Sequence, residues 1–392
     1  MKDFNFISPT KIYFGKNKEK DIGKIIKEYG FKKVLFHYGQ NSIKKYGLYD
    51  VVVSSLKENN IEFIELGGVL PNPDVSLCKE GIRLCKDHNV DLILAVGGGS
   101  VMDSSKLIAN GVFYEGDPFD ISLKKYISKK ALPIGVILTN AASGSELSSS
   151  CVISCRELKL KRGFNSDLNR PLFVVENPEL TYSLDLFTTG CGVVDIFSHT
   201  FERYFCKSEE YEFADYISEA LMRNVIDNGY KLSKNLTSYE ARANMMIASS
   251  YSHNGLTSLG KEMRMPIHQL EHELSGLFPS IAHGEGLAIL IPAWMEVCKN
   301  IDPDKFVRFS ENVMGVDKNL DFEEKVSLAI NKLKDFFKIF NLKTSFDGYD
   351  ITNDDIITMV NSLTGNKTKV FDSYIPLDYI LAEKVYKKCM EE

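Results

Sequence analysis

One pattern limits this chain more than any other. Short β-rich runs alternate with helical stretches from residue 33 to residue 175, and then the strands become rare. The runs "KVLFHY" (33–38), "IEFIEL" (61–66), "DLILAV" (91–96), "PIGVIL" (133–138) and "PLFVV" (171–175) predict strands. Between the first three lie "SIKKYGLYDVVVSSLKENN" and "DVSLCKEGIRLCKDHN", where Val75, Cys78, Ile82 and Cys85 recur at helical spacing. Asp74 stands where an N-cap belongs, just after "PNP". Alternation of this kind implies a mainly parallel α/β sheet. Beyond about Asp185 the text turns helical, as in "TTGCGVVDIFSHTFERYF", "EFADYISEALMRNVIDNGYKL" and "FEEKVSLAINKLKDFFKIF". A length of 392 residues favours two domains. The expectation is an α/β domain over 1–185 and an all-helical domain over 186–392.

The charge balance narrows the class of partner. The net charge is −6 and no basic block occurs, which argues against nucleic acid or an anionic membrane surface. No apolar run reaches the length of a membrane span, and the amino terminus shows no secretory pattern. Eight scattered cysteines without a C-x-x-C pair fit a reduced, cytoplasmic setting.

The stretch "DLILAVGGGSVMDSSK" joins a buried strand to a helix through Gly97, Gly98, Gly99 and Ser100. Glycines let backbone N–H groups approach a phosphate, and the helix aims its positive end at the same point. Asp103, on the first turn, could cap the helix or touch a cofactor. A tight strand–helix turn explains the same residues without a ligand. The loop "YGQNSIKK" (38–45) carries Gly39, Ser42, Lys44 and Lys45 and no acid. An acid there favours NAD by bonding the ribose 2′-hydroxyl, so its absence leans toward NADP(H); solvated lysines are the plain alternative. "TNAASGSELSSS" (139–150) suits a polar cleft or a flexible loop.

The chain has seven histidines, and four of them fall in "DIFSH", "HQLEH" and "AHGEG". Residues four apart share one face of a helix, so Asp195 pairs with His199 and His268 with His272. Asp195, His199, His268 and His283 would give one carboxylate and three imidazoles to one ion, with His272 close by but outside the ligand set. Capped or surface histidines are the structural alternative. Four protein ligands already close a tetrahedral Zn²⁺ site. Fe²⁺ accepts further ligands and fits a catalytic role better, with Zn²⁺ and Ni²⁺ as alternatives.

Taken together, these motifs resemble the iron-containing alcohol dehydrogenases, in particular their NADPH-dependent butanol dehydrogenase-like branch. The resemblance runs from "FISPTKIYFG" through "PNPDV", "GGGSVMDSSK", "GSE", "NPELTYSLD" and "GVVDIFSHTFERY" to "HQLEHELSG" and "AHGEGLAILIPAWM". It implies a dehydroquinate synthase-like architecture: an amino-terminal nucleotide-binding α/β domain, an all-α carboxy-terminal domain, and the active site between them. It also implies the metal ligands Asp195, His199, His268 and His283, a proton-relay role for His272, and a nicotinamide-side place for Asp103. Gly97, Gly98, Gly99 and Ser100 match the pyrophosphate loop. Gly39 and Ser42 match the adenosine-ribose loop, Asn72 the adenine side, and Thr139 and Lys161 further cofactor-cleft positions. The implied reaction exchanges hydride between NADP(H), or NAD(H), and a small primary alcohol or aldehyde, and the implied assembly is a homodimer.

Three positions depart from the family pattern. "YGQNS" replaces "YGGGS", Glu176 stands where Asp is usual, and "KEMRMPIH" has no Trp ahead of His268. Rival readings find less support. A dehydroquinate synthase needs a basic pocket, but the region around His268 offers Arg264 and few other cations. A nucleotide-binding relic would not keep the ligand set. "GSELSSS" lacks the G-x-S-x-G elbow of a serine hydrolase.

Overall fold

The structure is a computed structural model, and it describes residues 3–207 and 212–391. The chain divides into two compact units at Leu184. Residues 3–6 group with the second unit, where the Phe6 ring lies against Gly255.

The first unit is built on β1 (Lys11–Phe14), β2 (Lys33–Tyr38), β3 (Glu62–Leu66), β4 (Leu92–Gly97), β5 (Ile134–Leu138) and β8 (Phe173–Glu176). They form one parallel sheet in the order β1-β8-β5-β4-β2-β3. β4 and β5 are buried along their whole length, which is why "LILAVG" and "IGVIL" read as unbroken apolar runs. Val34, Phe36, Leu92, Leu94, Val96, Phe173 and Val175 share one core with Ile22, Ile26, Val52 and Leu56 of the helices below them. A separate antiparallel hairpin, β6 (Ser150–Cys155) with β7 (Leu160–Asn165), lies outside the expected strands.

Asp74 caps the helix Val75–His88, accepting the Ser76 amide as expected. The single helical stretch expected over 42–60 is two helices, Ser42–Lys45 and Leu48–Glu58. Gly47 separates them at φ 78°, in the left-handed region that ends a helix.

The second unit is largely helical. Its only β pairings among the described residues are two isolated bridges, Lys207 with Glu262 and Phe371 with Leu377. No helix among the described residues is long and apolar enough to cross a membrane. All eight cysteines are free thiols.

Candidate active site

Three helices of the second unit carry the histidine motifs. Leu186–Tyr204 starts at Asp185, whose carboxylate accepts the Thr188 amide, and it presents Asp195 and His199 one turn apart. Pro266–Leu277 opens with proline at its first position, where no intrahelical donor is lost, and brings His268 onto its first turn. His283 is the first residue of His283–Cys298. Gly284 allows this last helix its place. A Cβ there would sit 2.3 Å from the Cys191 carbonyl oxygen, so backbone meets backbone one turn ahead of Asp195.

Asp195, His199 and His268 are buried, and their ligand atoms lie within 4.8 Å of one another. Asp195 Oδ1 is 3.7 Å from His199 Nδ1, 3.5 Å from His268 Nε2 and 3.6 Å from His283 Nε2. The first three of these atoms are buried without a hydrogen-bond partner. Buried polar atoms are rarely left so, and the spacing explains them. Ligands about 2.1 Å from one tetrahedral ion stand about 3.4 Å apart. The donor set of one carboxylate and three imidazoles therefore fits a divalent transition metal. Burial works to raise the Asp195 carboxyl, but the imidazoles of His199, His268 and His283 outweigh it and hold it well below the usual range. Burial pushes His199 down, while Glu202 and Asp195 overcome burial at His268 and raise it to about 9.

Two carboxylates behind the histidines were not found by sequence reasoning. Glu202 Oε2 pairs with His268 Nδ1, and Glu202 Oε1 also accepts the Ile267 amide at 2.6 Å. Glu271 Oε2 pairs with His283 Nδ1. Each holds the far ring nitrogen, so Nε2 faces Asp195. The only sequence signal was position: Glu202 follows His199 by three, and Glu271 precedes His272. His253 also stands beside the set, its ring centroid 4.1 Å from that of His199. His272 is half-buried, with its ring 6.2 Å from that of His283.

The nucleotide-side candidates lie in the first unit. Gly97 ends β4, Gly98 caps the helix Gly99–Gly111, and none of the three glycines has positive φ. Their need is space. A Cβ on Gly97 would meet Val101 at 2.5 Å, and one on Gly99 would meet Ser143 Oγ at 2.5 Å. Ser100 follows on the first turn of the helix, half-buried. Thr139 donates its amide to the Gly97 carbonyl, tying the end of β5 to the loop. Both Asp103 oxygens are engaged, one by Ser145 Oγ at 2.8 Å and one by the Val152 amide at 3.0 Å. Burial raises the Asp103 carboxyl, against the pull of Lys106 and Lys161. Lys161 is buried on β7, close enough to act on Asp103. Asn72 adopts φ 53°, a left-handed conformation that asparagine tolerates. Gly39 and the exposed Ser42 flank the end of β2, with Lys44 Nζ 4.8 Å from the Tyr49 ring centre.

Comparison with known proteins agrees with both halves of this description. The family model described as iron-containing alcohol dehydrogenase matches residues 9–178. That of the Fe-containing alcohol dehydrogenase family, C-terminal, matches residues 189–388. NADH-dependent butanol dehydrogenase A of Clostridium acetobutylicum is 43% identical over 99% of this chain and 100% of its own. The NADPH-dependent aldehyde reductase of Escherichia coli is 33% identical over 93% of each. The crystal structure of NADH-dependent butanol dehydrogenase A from Thermotoga maritima superposes with a TM-score of 0.94 at 36% identity, over 100% of this chain and 99% of that one. With family models matching both halves of the chain, and with relatives of 33% to 43% identity covering nearly all of it, the chain belongs to the iron-containing alcohol dehydrogenase family.

Proposed function

We propose that this enzyme interconverts a small primary alcohol of butanol size and its aldehyde, with NADP(H) as the hydride partner. The observation that carries the reading is the convergence of three buried, unpartnered atoms of Asp195, His199 and His268, in a chain of this family. A divalent ion bound there by these residues and His283, Fe²⁺ first and Zn²⁺ or Ni²⁺ otherwise, supplies a Lewis acid for a carbonyl or alkoxide oxygen. Glu202 and Glu271 fix the imidazoles that bind it. His272, half-buried one turn from His268, exchanges the proton with water. The amides at Gly98–Ser100 receive the pyrophosphate at the start of a 13-residue helix. Asp103, held by Ser145 and Val152, keeps the wall of that loop in place beside the nicotinamide. Gly39, Ser42, Asn72, Thr139 and Lys161 complete the nucleotide side.

Preference for NADP(H) rests on Gly39 and the absence of any acid over residues 39–45. A second reading, NAD(H), draws on the NADH dependence of the 43% identical butanol dehydrogenase. Anaerobic oxidation of NADPH and of NADH with butanal separates them, using enzyme stripped of metal and then restored with Fe²⁺ or Zn²⁺. The expected result is metal-dependent turnover with a higher kcat/KM for NADPH. A higher value for NADH moves the assignment to the second reading. No turnover with either cofactor, any metal and several aldehydes overturns the proposal.

A further inference from the structure

A buried ammonium ties together the two helices that carry Asp195, His199 and His268. The side chain of Lys261 is 0% exposed. Its Nζ donates to the Arg203 carbonyl at 3.1 Å and to Asp215 Oδ1 at 2.5 Å. Arg203 lies in the last turn of Leu186–Tyr204, where carbonyls have no intrahelical donor left. A cation there satisfies one of them and complements the helix dipole. Lys261 sits in the segment leading into Pro266–Leu277, seven residues before His268. The residue next to Arg203 is Glu202, which accepts the Ile267 amide and pairs with His268 Nδ1. The end of one ligand helix therefore grips the start of the other at two adjacent positions.

The far side of Lys261 is anchored as firmly. Asp215 is buried, and its second oxygen takes Lys305 Nζ at 2.5 Å. Arg308 joins the same cluster through Glu219 at 2.6 Å, and Tyr204 donates to Glu219 at 3.1 Å. Burying the charges of Lys261, Asp215 and Glu219 has a high desolvation cost unless each is paired. The pairing fixes Lys261 in one position.

We propose that Lys261 is a positioning residue for the metal centre: it sets where His268 stands relative to Asp195 and His199. This rests on the metal reading above. The test is Co²⁺ titration of metal-stripped protein, read by visible absorption, which reports coordination geometry independently of turnover. Lys261→Met leaves Asp215 paired with Lys305, so no carboxylate is stranded. Lys261→Gln keeps a neutral donor and provides the same reading if Lys261→Met does not fold. Each should weaken Co²⁺ binding, by less than the roughly 10- to 100-fold typical of losing a group bonded to the ligand itself, and alter the spectrum. Lys305→Met breaks the same cluster and takes a cation from the Tyr204 ring, 3.9 Å away, but leaves the bond from Lys261 to the Arg203 carbonyl in place. It should lower the melting temperature yet leave Co²⁺ affinity unchanged. Wild-type affinity and spectrum in the Lys261 variants overturn the proposal. So does an equal loss in Lys305→Met, which would make the effect one of general stability. Failure of the wild-type protein to bind one Co²⁺ per chain overturns the metal reading instead.

Discussion

At the scale of single residues, the site is a set of rings that must not turn. His268 and His283 each have one nitrogen on a buried carboxylate and the other facing Asp195. Glu202 serves three groups at once, the His268 ring and the Ile267 and His268 amides. Glu202→Gln has one acceptor oxygen in place of two, so it cannot serve all of them. We expect zinc affinity to fall about 10- to 100-fold, with the loss visible in a chelator competition titration. Wild-type affinity in that variant would show that the carboxylate does not orient His268. The pairs Asp195/His199 and His268/His272 were legible in the sequence because i,i+4 spacing is a local property of a helix. Glu202 and Glu271 were not, because a carboxylate that meets a ring on another helix leaves no local spacing to read. Asp103 teaches a related lesson. Its place on the first turn was readable, but its two donors come from residues 42 and 49 positions away.

At the scale of elements, legibility followed burial. Four of the five strands read from the sequence carry buried apolar runs, β3 interleaves acids with apolar residues, and the sheet places each within a residue or two of its expected bounds. β1 is a four-residue edge strand with no fully buried residue, so "KIYF" gave no run to notice. β6 alternates buried and half-buried positions through serines and cysteines, a weak signal that starts where the 139–150 stretch, read as polar cleft or loop, ends. What joins strands to helices is polar and equally hidden. His37 of β2 is fully buried, with Nδ1 2.7 Å from the Leu66 carbonyl and Nε2 2.8 Å from Ser104 Oγ. A carbonyl only accepts, so Nδ1 carries the proton and Ser104 donates to Nε2. Cys78 Sγ stands 3.4 Å from the same hydroxyl, which extends the chain to a second helix. Burial lowers His37 to about 4 from an ordinary 6.5. The unfolded chain then binds the extra proton first, so stability is full above pH 6.5 and falls as pH drops toward 4. Between pH 7 and pH 5 this amounts to roughly 2 kcal/mol. Urea unfolding at the two pH values should show that difference in the wild type and a smaller one in His37→Leu. An equal difference in both would remove His37 as its source.

At the scale of the whole molecule, the sequence changes character where the structure divides. Alternating strands and helices stop near residue 176, and the second unit begins at Leu184. The polar, turn-rich stretch "ENPELTYSLD" (176–185) marks the division in the sequence because it offers no periodic apolar face to bury. Residues 3–6 could not be assigned this way, since their place with the second unit depends on Phe6 reaching Gly255, far along the chain. The division separates the chemistry as well. Asp195, His199, His268 and His283 all belong to the second unit, and the glycine loop with its supporting residues to the first. A ligand that binds only folded protein stabilises what it touches, by about 4 kcal/mol at a thousand times its Kd. The two ligands should therefore protect different amides from hydrogen exchange. Zinc added to metal-stripped protein should slow exchange in peptides covering 186–204, 266–277 and 283–298. NADPH alone should act first on peptides covering 92–111 and 134–145. Mass spectrometry of exchanged peptides reads the two patterns separately. Zinc protection centred on the glycine loop, or none in the three ligand helices, would contradict the assignment of the metal to that unit. The same data test the nucleotide side without any turnover, because NADPH protection absent from 92–111 would leave the glycines explained by packing against Val101 and Ser143 alone.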